Sequence, residues 1–381
     1  MEITEIETLL ADKLLFVRVH TDEGIVGVGE SGTWAYLETS AAAVETFAEY
    51  LVGKDPRRIE HHWQYMYRRF HFRGAALMGA LSAIDLALWD IKGKYHGVPA
   101  YELLGGSCRG KARVYATVKG DTTEKLLDRC TAAADAGFTA VGHLSPFLDE
   151  SRDEPYFESH VEMIRTASDR VRQFRETVGD DVDLCIEIHR RLDPHEAVTL
   201  AREIEQYHPM FYEDPVRPDN IDAMAKVARK TELPIATGER LHTIHEFEML
   251  LDRDAADYVR PDICMVGGLS QAKKIAGIAE ANYVGVVPHN PLGPISTAAC
   301  LQLAACIPNF AIQEFPYRPE RDAAPGEDLV VDPPTHRDGF IEIPDEPGLG
   351  VELDIDEVAD RPFEGREFKT RLHEDGSVID Q

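Results

Sequence analysis

The pattern of apolar and polar positions divides the chain into three stretches. Residues 1–30 alternate at period two. LLFVRVHTDEGIVGVGE holds two apolar runs joined by the turn-forming TDEG, which predicts paired strands. From 38 to 104 the spacing lengthens to three and four. ALMGALSAIDLALWDIKGKYHG carries apolar residues at that spacing and stops at Gly97, with Pro99 following, as a helix end does. Residues 1–111 are therefore expected to form an α+β first module.

From Ala112 the pattern repeats. Strand-like runs occur at ARVYAT (112–117), TAVGHL (139–144), VDLCIE (182–187), PMFYE (209–213), LPIATG (233–238), DYVRPD (257–262), YVGVVPH (283–289) and FAIQE (310–314). Helical stretches such as PHEAVTLAREIEQY (194–207) and LSQAKKIAGIAEAN (269–282) lie between them. The interval is 23 to 27 residues except after the second run, where SPFLDESRDEPYFESH adds loop. Such units predict parallel strands with right-handed crossovers, closed into an α/β barrel over 112–314. The tail, 315–381, is rich in Pro, Asp and Glu, has a strand-like FIEI (340–343), and is expected to pack back on the first module.

Three carboxylates punctuate the repeat. Glu187, Glu213 and Glu239 are each 26 residues from the next, and each closes a strand-like run: DLCIE, MFYE and PIATGE. Strand ends of such a barrel share one face, so the three converge at one mouth. Bare, they would repel one another and raise each other's pKa. A hard divalent cation with oxygen ligands, most simply Mg²⁺, resolves that conflict.

Composition narrows the partners. The chain has 381 residues, 44% of them hydrophobic, enough for a large core. Its 68 acidic against 40 basic side chains give a formal charge of -28, which opposes nucleic acid and anionic membranes. Only 12 of the basic residues are Lys. Acid excess with Arg favoured suggests the salt-adapted surface of a halophile; an ordinary acidic cytosolic protein is the alternative. Six scattered cysteines without a CxxC pair fit a reducing compartment. No apolar run is long enough to span a membrane, and the acidic MEITEIETLLADK is unlike a signal peptide. A cytoplasmic homo-oligomer is expected.

Candidate acids and bases surround the three carboxylates. His189 follows Glu187 by two positions, which in a strand puts both side chains on one side. His289 and Asp262 end the seventh and sixth runs, where a carboxylate could orient the ring and raise its basicity. Glu314 ends the eighth, and could bind substrate, donate a hydrogen bond or pair with Arg. Arg191 and Arg240 are placed either to attract a substrate carboxylate or to form structural salt bridges. TAVGHL offers no lysine base. With a cation on the substrate carboxylate the α-proton becomes acidic, and two histidines then suit elimination of a β-hydroxyl, or racemisation.

These residues resemble the enolase superfamily, and within it the mandelate racemase-like acid-sugar dehydratases. SAIDLALWDIKGKYHGVPAYELLGG (82–106) is similar to the helical segment of that family's capping domain. IEIHRRLDPHEA, FYEDPVRPDN, PIATGERLHT, VRPDICMVGGLSQAKKIAGIAE and PHNPLGPISTAACLQLA are similar to galactonate and mannonate dehydratases. The resemblance implies an α/β fold, a modified (β/α)₇β TIM-type barrel with an α+β capping domain completed by the C-terminal tail. It implies one Mg²⁺ per subunit on Glu187, Glu213 and Glu239, although the first ligand is usually Asp. His189 matches the third-strand histidine, and His289 with Asp262 the seventh-strand dyad. In galactonate dehydratase-like members the dyad histidine is the base and the third-strand histidine the acid. In mannonate dehydratase-like members the third-strand histidine is the base, helped by a Tyr–Arg pair that Tyr156 and Arg152 could supply. The implied reaction is dehydration of a C5 or C6 aldonate, such as gluconate, xylonate, galactonate or mannonate, to its 2-keto-3-deoxy acid. A racemase, epimerase or cycloisomerase, or a non-catalytic relative, are the alternatives on the same scaffold. Substrate choice is expected to lie in the Glu30–Tyr36 and 145–160 loops.

Overall fold

The computed structural model describes residues 1–69, 71–147, 154–366 and 368–379. Its first 30 residues form an antiparallel sheet of β1 (Ile3–Ala11), β2 (Leu14–Thr21) and β3 (Val26–Glu30), in that order. The helices Leu37–Leu51, Ile59–Arg69 and Ala75–His96 pack with it. Ala75–His96 is buried along much of its length, and the glycines of GIVGVGE explain how it can lie so close to β3. A Cβ at Gly29 would fall 1.9 Å from the Ala83 carbonyl oxygen, and one at Gly27 2.1 Å from that of Ala87.

Eight parallel strands follow: β4 (Lys111–Thr117), β5 (Ala140–Leu144), β6 (Asp183–Glu187), β7 (Phe211–Glu213), β8 (Ile235–Thr237), β9 (Tyr258–Val259), β10 (Gly285–Val286) and β11 (Gln313–Phe315). Each neighbours the next, and β11 pairs with β4. A parallel bridge from Val286 to Phe310 closes the circle. One helix fills each gap between strands, giving the (β/α)₇β order. β9 and β10 are shorter than DYVRPD and YVGVVPH suggest. Pro261 and Pro288 have no N–H to donate to the ladder, so the regular strands end before them and pairing resumes only as an isolated bridge. Tyr115, Cys185, Phe211, Val287 and Ile312 fill the barrel interior, while the larger core lies between strands and outer helices.

The tail touches several elements. Phe340–Glu342 pairs antiparallel with β4. Asp12, in the β1–β2 turn, donates its backbone N–H to Pro362 O, and its carboxylate pairs with Arg361. A terminal hairpin, Arg371–Leu372 with Val378–Ile379, bonds through Leu372 O and Glu374 N to the backbone of Tyr156. Among the described residues no helix is long and apolar enough to cross a membrane.

The first module is tied to the barrel through helix starts. Five barrel helices carry their own N-terminal caps: Thr122, Ser159, Asp193 with Glu196, Asn220 and Thr243. The helices Gly268–Ala281 and Pro294–Cys306 begin after Gly267 and Gly293, which have no side chain to offer. The first module supplies the missing acceptors. Asp85 accepts from Ser270 N (3.1 Å) and Ser270 Oγ (2.5 Å). Glu30 accepts from Gly293 N (2.7 Å) and Ser296 N (2.9 Å). Both carboxylates are fully buried, and burial raises each to about 7 against the opposing backbone bonds.

Candidate active site

Parallel pairing delivers the carboxylates to one mouth. Glu187 and Glu213 are register partners at the ends of β6 and β7, and Glu239 lies just past β8. One oxygen from each lies within 4.8 Å of the other two. Glu187 Oε1 and Glu213 Oε1 are buried yet accept no hydrogen bond among the described residues. Three convergent hard oxygen donors fit a divalent cation, two of them without an aligned hydrogen bond although Arg260 and His189 lie against them, and the glutamate at the first position does not prevent convergence.

The surrounding charges are shared with protein cations. Arg260, 1% exposed, touches Glu213 through Nε, Glu314 through Nη2 (2.6 Å) and the Tyr115 hydroxyl through Nη1 (2.9 Å). Arg190 contacts Glu239 (2.5 Å) and Asp214 (3.3 Å). Burial pushes Glu213 well above the usual carboxylate range despite Arg260, and Glu187, Glu239 and Asp214 push the same way. Burial opposes the Glu239 charge too, but His289 and Arg190 prevail and hold it at about 2.

The histidines flank this cluster. His289 Nδ1 lies 2.8 Å from Asp262 Oδ2, and its Nε2 lies 3.3 Å from Glu239 Oε2. Asp262 and His289 form a parallel bridge beyond β9 and β10, so the register of the two strand ends fixes the dyad. Burial disfavours the imidazolium, but Glu239 and the Asp262 hydrogen bond outweigh it and raise His289 to about 9. His189 Nε2 lies 3.1 Å from Glu187 Oε1, outside hydrogen-bond alignment. Burial lowers His189 to about 4 despite that carboxylate.

With this geometry in place, two family matches decide the chain's kinship. Residues 3–105 match the mandelate racemase / muconate lactonizing enzyme N-terminal domain, and residues 125–358 the enolase C-terminal domain-like family. The chain belongs to the enolase superfamily. It is 37% identical over 388 residues to a D-galactonate dehydratase of Verminephrobacter eiseniae and 36% over 389 to one of Ralstonia nicotianae, covering 100% of both chains in each case. An enolase of Agrobacterium radiobacter, provisionally a galactarate dehydratase and solved with Na and L-malate, superposes with a TM-score of 0.91. It is 32% identical, with 100% of both chains covered. A mandelate racemase/muconate lactonizing enzyme relative from Labrenzia alexandrii gives 0.89 at 33% identity, over 98% of this chain and 100% of that one.

Within this superfamily fold the strand ends are not simple continuations of strands. His143, His189, Arg190 and Asp214 all have positive φ, at 61°, 54°, 65° and 40°. Left-handed backbone on such residues costs energy and concentrates at functional sites. It also replaces the alternation from which the sequence places His189 beside Glu187. β6 stops at Glu187, and the turn, not the pleat, carries the ring back to the carboxylate.

The same turn sends the two neighbouring arginines to different places. Arg190 meets the carboxylate cluster, whereas Arg191 donates to the Tyr156 hydroxyl (2.8 Å) and lies over Phe147. Tyr156 thus meets an arginine, but from the third strand end. Arg152 lies outside the described residues. Arg240 lines a cavity of about 670 Å³ with Glu239, Asp262, His289 and the Gly32–Trp34 loop. Glu314 accepts from Arg260, Thr117 Oγ1 (3.1 Å) and Asn290 N (3.1 Å), so of its three alternatives the arginine pairing is present.

Sequence reasoning passed over His143. Its Nδ1 lies 2.9 Å from Glu187 Oε2, and its ring stands 4.8 Å from that of His189, at 77°. The signal was its place one residue before the end of a barrel strand, at the level where the other strands deliver polar groups. Arg260 and Asp214 were hidden differently. Each sits beside a chosen residue in VRPD or FYED, and only tertiary structure shows which way it points.

Proposed function

We propose that this chain dehydrates a C6 aldonate, galactonate first, to the 2-keto-3-deoxy acid, with Mg²⁺ held by Glu187, Glu213 and Glu239. Its reaction class is that of a hydro-lyase acting on a sugar acid. The observation that carries the reading is the three-carboxylate cluster with an imidazole on each flank, one of them held by a buried aspartate.

When bound, the cation supplies Lewis acidity to the substrate carboxylate and so acidifies the α-proton. His289 is the base in this proposal, a role that requires a cation on Glu239 to cancel the charge that raises its pKa to about 9 in the metal-free protein. Asp262 holds its Nδ1, which leaves Nε2 facing the mouth and compensates the imidazolium that forms. His189 gives a proton to the departing β-hydroxyl, which requires the bound substrate to offset the burial that lowers its pKa in the free protein; one water is lost and the enol product tautomerises to the ketone. His143 fixes the Glu187 carboxylate from behind, and Arg240 with the Gly32–Trp34 loop frames the sugar hydroxyls. A cytoplasmic homo-oligomer remains part of this proposal.

The test is incubation with galactonate, gluconate, xylonate and mannonate, with Mg²⁺ and high salt, scored for 2-keto-3-deoxy product. Deuterium entering recovered substrate from D₂O with no keto acid formed would favour a racemase or epimerase. His289→Asn should abolish α-proton exchange. Exchange that persists there and disappears in His189→Asn reverses the two roles.

A further inference from the structure

A cavity of about 1030 Å³ opens beside the proposed catalytic mouth. It reaches Thr117, which bonds Glu314, and Pro291 and Leu292, which follow His289. In a chain of net charge -28 its lining is unexpectedly basic, with seven Lys and Arg against five carboxylates. Arg361 and Arg129 pair with acids there. Lys119, Arg318 and Arg366 make no ion pair among the described residues. Lys119 ends the segment after β4, Arg318 follows β11, and Arg366 comes from the tail and stacks on Trp34 at 3.8 Å.

Topology sets the direction of this basic group. The carboxylate cluster occupies the ends of the third, fourth and fifth barrel strands, β6 to β8, whereas Lys119 and Arg318 stand at the first and eighth, on the opposite rim. A sugar acid whose carboxylate faces the cluster extends its far end across the mouth towards them. A neutral terminal hydroxyl would leave three cations uncompensated.

We propose that Lys119, Arg318 and Arg366 form a subsite for a second anionic group at the far end of the substrate: the terminal carboxylate of an aldarate or the phosphate of a 6-phosphoaldonate. The proposal rests on the dehydratase reading but replaces its singly charged aldonate, galactonate included, with a doubly anionic sugar acid. Desolvation is the first cause that lowers the Lys119 pKa; Glu314 opposes it, Arg366 and Arg318 add to it, and Glu187 acts with Glu314. Lys119 is nonetheless solvent-exposed, so the group is open to an incoming ligand.

The experiment compares galactonate, galactarate and 6-phosphogluconate as substrates of the full chain and of its Lys119→Met/Arg318→Met double variant. Expected is a kcat/KM at least about tenfold higher for one doubly anionic acid than for galactonate, carried mainly by KM and lost in the double variant. The better of the two substrates identifies carboxylate or phosphate. A preference for galactonate, or a diacid preference unchanged in the variant, overturns the subsite. A second measurement needs no turnover: inorganic phosphate, without added Mg²⁺, should raise the thermal midpoint of the wild type and not of the folded double variant. If no substrate turns over while that phosphate effect holds, the dehydratase reading fails and the anion site stands. If phosphate has no effect, the anion site falls.

Discussion

Asp85 provides a direct test of how the first module is joined to the barrel. It caps a helix of the barrel through two hydrogen bonds to Ser270, and Ser270 Oγ also accepts from Trp89 Nε1. Asp85→Ala strands the Ser270 amide in a buried site, at about 1–3 kcal/mol. Loss of an N-terminal cap by itself costs about 0.5–2 kcal/mol. The two descriptions overlap, so a total of about 2–3 kcal/mol is expected. Asp85→Asn keeps an acceptor for the amide and removes a buried carboxylate, and should cost less than about 1 kcal/mol. The two variants also separate by pH. Burial raises the Asp85 carboxyl from 3.8 to about 7, so the fold keeps a proton that the unfolded chain releases. That contribution is complete below pH ~4 and is lost as pH rises through about 7. Wild type should therefore lose stability relative to Asp85→Asn across this window. Urea titrations followed by circular dichroism, at pH about 5 and about 7.5, measure both effects. An Asp85→Ala midpoint equal to wild type, or an Asp85→Asn variant as damaged as Asp85→Ala, would refute the capping argument.

Other consequences are open to measurement. Glu213→Gln should weaken Mg²⁺ binding at least about 100-fold in calorimetry, and unchanged affinity removes Glu213 from the ligand set. His289 should titrate near 9 by NMR in metal-free protein. Because that pKa is raised, its stabilising effect is present below ~6.5 and lost as pH rises through about 9; Mg²⁺ should lower it by screening Glu239, and a metal-independent value would contradict the shared site. Gly268→Ala would place a Cβ 2.2 Å from Asp85 Oδ1 at φ +71°, and should destabilise by more than about 1 kcal/mol in the same urea assay. If the acidic surface is salt-adapted, the thermal midpoint should rise steeply with KCl concentration, and a flat response argues for an ordinary acidic protein.

The sequence by itself determined the barrel and the location of its mouth. Strand-like runs at a regular interval, separated by helical stretches, predict parallel strands, and parallel strands put Glu187, Glu213 and Glu239 at one end whatever the loops do. That inference needed only periodicity and chain reach. It gave Asp262 and His289 as neighbours for the same reason, and the bridge between them confirms the register. Alternation fails where the strands end. Left-handed turns at His143, His189, Arg190 and Asp214 redirect side chains by backbone angles that a residue's identity does not encode. Hence Arg190, and not its neighbour Arg191, reaches the carboxylates, and His143 joins them unannounced. The roles of Asp85 and Glu30 also required tertiary structure. Each belongs to a sequence segment far from the helix it caps, and a missing cap at Gly267 or Gly293 has meaning only when a carboxylate from the other module is seen to fill it. Local pattern fixes which way a strand runs, whereas the aim of a side chain at its end depends on what the rest of the chain packs against it.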